Sequence, residues 1–346
     1  MSTENASPVC VTVSALDAGH LTLPERLFVT DADPEKRSTV PSLSFLIRHP
    51  STSPSSPERD TTNLIFDLGI KRDPGGYTPA QQDHVAQRQP VITDPDCAAS
   101  LRKGAGVDPS RDVDLIILSH VHWDHVGTPG DFPGATFAVG SGTLDLLKNG
   151  AGPLYPAALF NDDEVPADRT VEFPPVPRDA DGDSVGEYET GPYVPKHTPT
   201  PEDSRVKLPA ASSAWSWKPH GGFAHALDLF GDGSVYVIDS PGHLYGHVNL
   251  LVRVAPRKHL YLGGDCCHDP RILSGEKGFA LYDDGRGGLR SVHVHTGTAQ
   301  RTLDKIMAFM REEGKGELGT AQVEVVVAHD AEWRETNKER FWPGTL

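Results

Sequence analysis

Cysteine is scarce in this sequence, and the spacing of the few cysteines excludes two common uses. The chain of 346 residues has four, namely Cys10, Cys97, Cys266 and Cys267, of which two are adjacent and none form a CxxC pair. This pattern provides neither a disulfide framework nor a zinc ribbon. We therefore expect a protein of the reducing cytoplasm.

Long apolar runs and an excess of positive charge are also lacking. No segment approaches the roughly 20 consecutive apolar residues of a transmembrane helix, and the start, MSTENASP, lacks the basic and apolar parts of a secretion signal. The formal net charge of −16 opposes binding to another polyanion, because affinity for nucleic acid rests on lysine and arginine. We expect neither a membrane protein nor a nucleic-acid-binding protein.

Apolar, β-prone segments alternate with loops and short helices along the chain. Residues 39–47 and 63–68 predict an early hairpin, and 113–118 predict a buried strand. Helices are predicted at 95–104 and at 141–150, the second capped by Ser141 and ended by Gly150. Four further strands follow, a hairpin around GDGS and then HVNLLVRV and HLYLGGD, before a helical stripe near Leu303 and the last strand VEVVVAHD. This order indicates an α/β layered fold.

Residues 151–220 differ in character from the rest of the chain. They hold twelve of the 30 prolines together with acidic clusters, and they show no sustained periodicity. We expect a single domain over residues 1–346, into which this segment is inserted as irregular ordered structure or partly as a mobile lid.

A dense group of histidines and one aspartate follows the predicted strand at 113–118. His120, His122, Asp124 and His125 stand in the motif SHVHWDHVG. On extended backbone, side chains two residues apart point to the same side, so His120 and His122 can converge on one ion. The turn that follows lets Asp124 and His125 face a second position. Imidazole and carboxylate are ligands for zinc, and also for manganese and iron; a solvated histidine-rich loop is the alternative.

Histidine and aspartate recur at the ends of later strands. His243 lies in DSPGHLYGH, Asp265 ends YLGGD, and His329 lies in VVVAHD, each just beyond a β-prone run. Loops at strand ends are where a layered fold places its chemistry, so these side chains are expected to converge with the dense group.

Together these motifs resemble the metallo-β-lactamase superfamily. Within it they are most similar to N-acyl homoserine lactonases and to lactam-opening fungal relatives that detoxify plant benzoxazolinones. The similarity covers residues 40–330 and rests on FDLG around Asp67, the HxHxDH run, PGHxxGH, GGD and AHD. It implies a four-layer αβ/βα sandwich that carries two divalent metal ions, expected to be zinc with manganese and iron as alternatives.

Ligand roles follow from the resemblance position by position. It implies one metal ion on His120, His122 and His243, and a second on Asp124, His125 and His329, with Asp265 bridging both. Asp67 would be a structural acid that orients its loop, and His247 would support the ligands without binding metal.

The implied activity is hydrolysis of a small cyclic ester or amide, a lactone or a lactam, by a hydroxide held between the metals. Asp124 is the expected proton carrier to the leaving group. Lactonases of this type commonly have a tyrosine three residues after the bridging aspartate, where this chain has His268. We expect His268 either to donate to the substrate carbonyl or to take no part. Cys266 and Cys267 are expected to pack in the interior.

Three alternatives remain open from the sequence. A thioester hydrolase similar to glyoxalase II is opposed by the acidic charge, and an iron-dependent redox enzyme is opposed because such relatives carry glutamate where His122 stands. A binding protein without activity would have lost ligands, and none is missing. Oligomeric state is not predicted.

Overall fold

Two six-stranded sheets form the centre of the computed structural model, which describes residues 7–346 except for 105, 162, 164, 178–192, 286 and 312–321. The described strands are β1 (Thr12–Pro24), β2 (Arg37–His49), β3 (Thr62–Phe66), β4 (Leu115–Ile117), β5 (Thr136–Val139), β6 (Thr170–Glu172), β7 (Lys218–His220), β8 (Phe223–Asp228), β9 (Val235–Asp239), β10 (Val248–Ala255), β11 (Lys258–Leu262), β12 (Tyr282–Asp283), β13 (Leu289–Arg290) and β14 (Gln322–Val326). The described helices are α1 (Pro79–Ala86), α2 (Cys97–Gly104), α3 (Trp123–Val126), α4 (Thr143–Asn149), α5 (Pro270–Leu273), α6 (Thr296–Arg311) and α7 (Ala331–Thr336).

The two sheets have related topologies. In the first sheet the order is β1-β2-β3-β4-β5-β6, antiparallel from β1 to β3 and parallel from β3 to β6. In the second the order is β14-β11-β10-β9-β8-β7, where β14 runs parallel to β11 and the other pairs are antiparallel. The strands β9, β11 and β14 therefore point the same way, and their carboxyl ends lie at one edge.

Side chains alternate between the two faces of each strand, and those that face the other sheet form the core. Phe45 and Ile117 of the first sheet and Val237 and Leu250 of the second belong to one buried cluster between the sheets. Side chains on the opposite faces pack against helices, α2 and α4 outside the first sheet and α6 outside the second. Each sheet is thus apolar on both faces, and the predicted four-layer αβ/βα sandwich is confirmed.

One expectation about local structure is wrong, and one strand was not predicted. The long strand β1 was not predicted, because a register shift between Asp17 and His20 around Gly19 interrupts its alternation. Ser141 does not cap α4; the residue before that helix is Gly142, at φ 97°, and Glu172 Oε1 instead accepts the Leu144 N–H of the first turn over 2.7 Å. The left-handed conformation before the helix requires the flexibility of glycine.

The proline-rich segment is largely irregular where it is described. Between residues 151 and 220 the structure has β6, β7 and short 3-10 turns. Since β6 pairs with β5, part of this segment belongs to the first sheet. Residues 178–192 lie outside the described part of the chain, and the boundaries of an insertion stay a prediction. Within the described ranges, no helix combines the length and apolar character needed to cross a membrane.

The packing between the sheets predicts how much a core substitution lowers the free energy of unfolding. Leu250 is fully buried between them, so Leu250→Ala should lower the free energy of unfolding by about 2 to 5 kcal/mol, the range for a leucine cavity. Leu289→Ala is the control, because 45% of that side chain is exposed and its truncation should cost less than about 0.5 kcal/mol. Denaturant unfolding of both variants at equal metal content measures the difference, and equal losses would contradict the assignment of the core.

Candidate metal centre

Seven side chains gather where strands of both sheets end. His120 and His122 follow β4, and Asp124 and His125 lie on the short helix α3 that comes next. The other three come from the second sheet and follow β9, β11 and β14, namely His243, Asp265 and His329. The structure therefore brings together all the residues that the sequence proposed as ligands.

Three ring nitrogens form the first cluster. His120 Nε2 lies 2.9 Å from His122 Nδ1 and 3.2 Å from His243 Nε2, and the latter two atoms are 3.0 Å apart. A tetrahedral zinc site with bonds near 2.0 to 2.1 Å separates its ligand atoms by about 3.3 Å. The triangle is therefore of the size that one ion needs.

The second cluster combines Asp124, His125 and His329. His329 Nε2 lies 3.6 Å from Asp124 Oδ2. Asp265 stands between the clusters, with Oδ1 3.2 Å from both His125 Nε2 and His329 Nε2. Its other oxygen, Oδ2, faces the first cluster, 3.7 Å from His120 Nε2 and 3.5 Å from His243 Nε2. One carboxylate thus turns one oxygen towards each cluster.

Unsatisfied buried atoms indicate what the clusters lack. His125 Nε2, His329 Nε2 and Asp265 Oδ1 are buried and make no hydrogen bond. Buried polar atoms normally have partners, and these three face one another. A divalent cation would satisfy all of them, so the residues present fit a metal pair.

Hydrogen bonds behind the rings fix which nitrogen carries the lone pair. Ser119 Oγ donates to Asp67 Oδ2 over 2.7 Å and lies 3.0 Å from His120 Nδ1, which therefore donates to it. His125 Nδ1 donates to the same Asp67 oxygen over 2.9 Å, and His329 Nδ1 donates to the Pro41 carbonyl over 2.8 Å. The Nε2 atoms are left free to bind a cation, as in other carboxylate-histidine-metal arrangements.

Electrostatics separate the two clusters. Burial among other imidazoles lowers the pKa of His120 and His243 well below the usual value, and burial lowers that of His122 to about 4. These rings are neutral at pH 7, as ligands must be. Burial also acts to lower the pKa of His125 and His329, but Asp265, together with Asp67 for His125 and Asp124 for His329, outweighs it, so that both pKa values are raised. The buried carboxylate therefore attracts positive charge to the place where a second ion would lie.

The backbone holds the motif against the loop that follows β3. Leu68 N donates to His125 O over 2.8 Å, and Gly127 N donates to Gly69 O over 2.9 Å. Gly127 has φ 58°, and a β-carbon there would lie 2.5 Å from the Leu68 carbonyl oxygen. Glycine is needed at this position because the two loops approach too closely for a side chain.

His247 supports the bridging residue. Its Nδ1 donates to the Ser240 carbonyl over 3.0 Å, and its Nε2 accepts the Asp265 backbone N–H over 3.2 Å. Both ring nitrogens are thereby used, which agrees with a supporting role and no metal bond.

His268 and His293 extend the histidine cluster beyond the seven proposed ligands. His268 Nε2 lies 3.1 Å from Asp265 Oδ2, and its ring packs against Phe28 with centroids 4.8 Å apart. His293 Nδ1 lies 3.1 Å from His243 Nδ1, so the two rings share a hydrogen bond. No role was predicted for His293; the pair of histidines at 293 and 295 was the signal in the sequence. Cys266 and Cys267 are buried and free, as expected of packing residues.

A cavity of about 420 Å³ opens onto the clusters. Its floor includes His122, Asp124, Asp265, His268 and His329. Its walls combine apolar and aromatic side chains with a few polar groups, which is the usual composition of a small-molecule site. The wall residues include Leu21, Leu23, Leu27, Phe28, Leu154, Tyr155, Leu159, Phe160, Tyr282 and Val292, and the polar ones include His84, Arg88 and Arg290.

Solved structures similar to this one decide the fold. A mutant of AiiA from B. thuringiensis with bound N-decanoyl-L-homoserine superposes with a TM-score of 0.59 over 98% of this chain and 100% of that chain, at 15% identity. AidC, a dizinc quorum-quenching lactonase, gives a TM-score of 0.53 over 94% of this chain and 92% of its own, at 12% identity. The chain has the metallo-β-lactamase fold. The resemblance predicted from the sequence motifs is confirmed.

Several curated proteins are similar to this chain in amino-acid sequence. A protein named cytochrome P450 monooxygenase mpaDE, from Penicillium brevicompactum, is 27% identical over 97% of this chain and 35% of its own length. Gamma-lactamase FDB1 from Fusarium pseudograminearum is 30% identical over 66% of this chain and 45% of its own length. The chain spans between about a third and a half of these relatives. No protein-family model matches it.

The hydrogen bond between Asp67 and His125 allows a test of the support behind the candidate metal centre. Asp67→Asn keeps the shape but removes the charge that orients the ring, and zinc affinity should fall about 10- to 100-fold. Competition with a chromogenic chelator measures it. Asp17→Asn is the control, since Asp17 pairs with Arg334 and does not line the cavity. Equal affinity in the Asp67 variant and the unchanged protein would contradict the proposed support.

Proposed function

We propose that this chain is a metal-dependent hydrolase that opens a small cyclic ester or amide, a lactone or a lactam. The proposal is carried by one observation: two clusters of ligand atoms, joined through Asp265, lie on the floor of an apolar cavity. The names of the relatives support it, since one is a gamma-lactamase and the similar structures are lactonases. The monooxygenase named above matches this chain over only 35% of its own length, so we do not carry that activity over.

The proposed ligands are those named from the sequence. His120, His122 and His243 would hold one ion, Asp124, His125 and His329 the other, and Asp265 both. When bound, two divalent cations activate water near neutral pH and polarise a carbonyl oxygen. We propose zinc, for which the imidazole-rich set is suited, with manganese and iron as alternatives.

The protein's own residues orient the substrate and move a proton. Phe28 and Phe160 line the cavity and are buried, so a ring held between the walls is shielded from bulk water. Asp124 lines the same cavity, and its carboxylate can take a proton and pass it to the departing oxygen or nitrogen. A lactam depends on this more strongly, because an amine leaving group must be protonated as it departs.

A substrate screen tests the proposed function. Zinc-loaded protein should hydrolyse members of a panel of lactones and γ-lactams, and a chelator should abolish the activity until zinc is restored. Asp265→Ala should abolish turnover and lower metal content, because both clusters lose the carboxylate they share. Hydrolysis confined to thioesters, activity that survives in Asp265→Ala, or turnover that needs iron and a reductant would contradict the proposal.

His268 is proposed to act on the substrate carbonyl, where lactonases of this type commonly carry tyrosine. Its ring borders the cavity and lies beside Asp265. We expect His268→Phe to lower kcat by about 100- to 1000-fold, the size of a lost donor to a developing charge, with zinc content unchanged. Steady-state kinetics measure kcat, and metal analysis measures the zinc content. An unchanged kcat would show that the ring plays no part in turnover, and lost zinc would place it among the ligands.

A further inference from the structure

Arg88 is a buried cation in the cavity wall. It follows the C-terminal end of α1, and its backbone is held by Val85 O and Thr22 N, at 2.9 Å each. Only 8% of the residue is exposed, yet its side chain lines the cavity that holds the metal clusters. The guanidinium is therefore removed from bulk water but open to whatever occupies the cavity.

This guanidinium has no partner among the described residues. Its side chain makes no hydrogen bond to them, and no carboxylate comes within 4 Å of it; its Cζ lies over the Phe28 ring, 5.9 Å from the centroid. A buried charge is costly unless it is paired and hydrogen-bonded. Two other partly buried arginines are paired with carboxylates, Arg59 with Asp114 and Arg340 with Glu324.

The charges around Arg88 do not neutralise it. Asp124 attracts it electrostatically, but that carboxylate is a proposed metal ligand whose charge a cation would share. Arg26 and Arg37 lie near enough to repel it. His84, also in the wall, has a pKa of about 4 because of burial and the nearby guanidinium, so it is neutral at pH 7.

A second arginine increases the positive charge of the cavity. Arg290 lines the same space and packs over the Tyr282 ring, with Cζ 5.1 Å from the centroid. Its Nε is buried without a hydrogen-bond acceptor. Two guanidinium groups thus line one cavity, and only that of Arg88 has no partner among the described residues.

We propose that Arg88 is the anchor of an anion subsite in this cavity, and that the substrate carries a carboxylate in addition to the bond that is hydrolysed. The assignment of a carboxylate to the substrate rests on the proposed function, whereas the anion subsite itself does not. A carboxylate suits the site because its two oxygens match the planar fork of one guanidinium.

Binding of indanone carboxylates tests the subsite without turnover. Indanone is the carbon analogue of a lactone fused to benzene and has no ester bond to hydrolyse. Each ring carboxylate and the matching acetyl compound, which has neither a charge nor an ester bond, are titrated by calorimetry into zinc-loaded protein. We expect at least one carboxylate to bind about 10- to 100-fold more tightly than its acetyl analogue, as a charge-assisted pair allows.

Matched variants assign any preference to Arg88. Arg88→Gln should remove the preference for the carboxylate and leave binding of the acetyl analogue within about twofold, since only the charged partner is lost. Arg88→Lys should retain part of it, because the charge remains while the fork is lost. Arg26→Gln removes the same charge from an exposed side chain that bonds to Pro34 O, and it should keep the full preference. Thermal unfolding checks that each variant folds. If Arg88→Gln does not fold, the carboxylate preference of Arg88→Lys decides whether Arg88 is the anchor.

Three results would overturn the inference. They are the absence of a carboxylate preference in every isomer, a preference that survives intact in Arg88→Gln, and an equal loss in Arg26→Gln. A carboxylate bound to the metals instead would give the second result. Because the probes are not hydrolysed, these outcomes leave the proposed hydrolase standing, and a failed substrate screen would equally leave the subsite standing.

Discussion

The buried Asp265 carboxylate imposes the central constraint on this molecule. It is 2% exposed and lies between two groups of imidazoles, one oxygen towards each. A carboxylate in such a place must be balanced by positive charge, either protons on neighbouring rings or metal ions. The pKa of Asp265 stays well below its usual value despite burial, because His125, His329 and His268 surround it. Cations binding to the clusters would replace the protons that those rings otherwise collect.

Both sheets are needed to bring the Asp265 carboxylate and the surrounding imidazoles together. His120 and Asp67 follow strands of the first sheet, whereas Asp265 and His329 follow strands of the second. A single sheet could present only one of these groups, so the face-to-face packing of the strand ends builds the site. The rings are then held by short hydrogen bonds to Ser119, Asp67 and the Pro41 carbonyl. Such support keeps the ligand atoms in place without spending free energy on rearrangement when a cation binds.

Sequence spacing predicted the local part of the site and much of the fold. The HxHxDH run places four groups within six residues, and the hairpin formed by β8 and β9 follows from its GDGS turn. The later candidate ligands were proposed because they end apolar strands and match family motifs. Nothing near Arg88 in the chain distinguishes it from a surface residue, and the pair of histidines at 293 and 295 did not show which groups they would meet. Their importance depends on contacts between distant segments, as does the irregular register of β1.

The anion subsite and the overall charge act over different distances. A chain with a net charge of −16 repels an anionic substrate in dilute salt, but at physiological ionic strength such repulsion fades over about 8 Å. Within the cavity the dielectric is lower, and Arg88 meets the substrate with little water between them. The local guanidinium therefore decides which molecule stays bound, while the distant surface charge affects mainly the rate of approach. An acidic exterior and a cationic cavity wall are thus compatible, because screening separates the encounter from the recognition step.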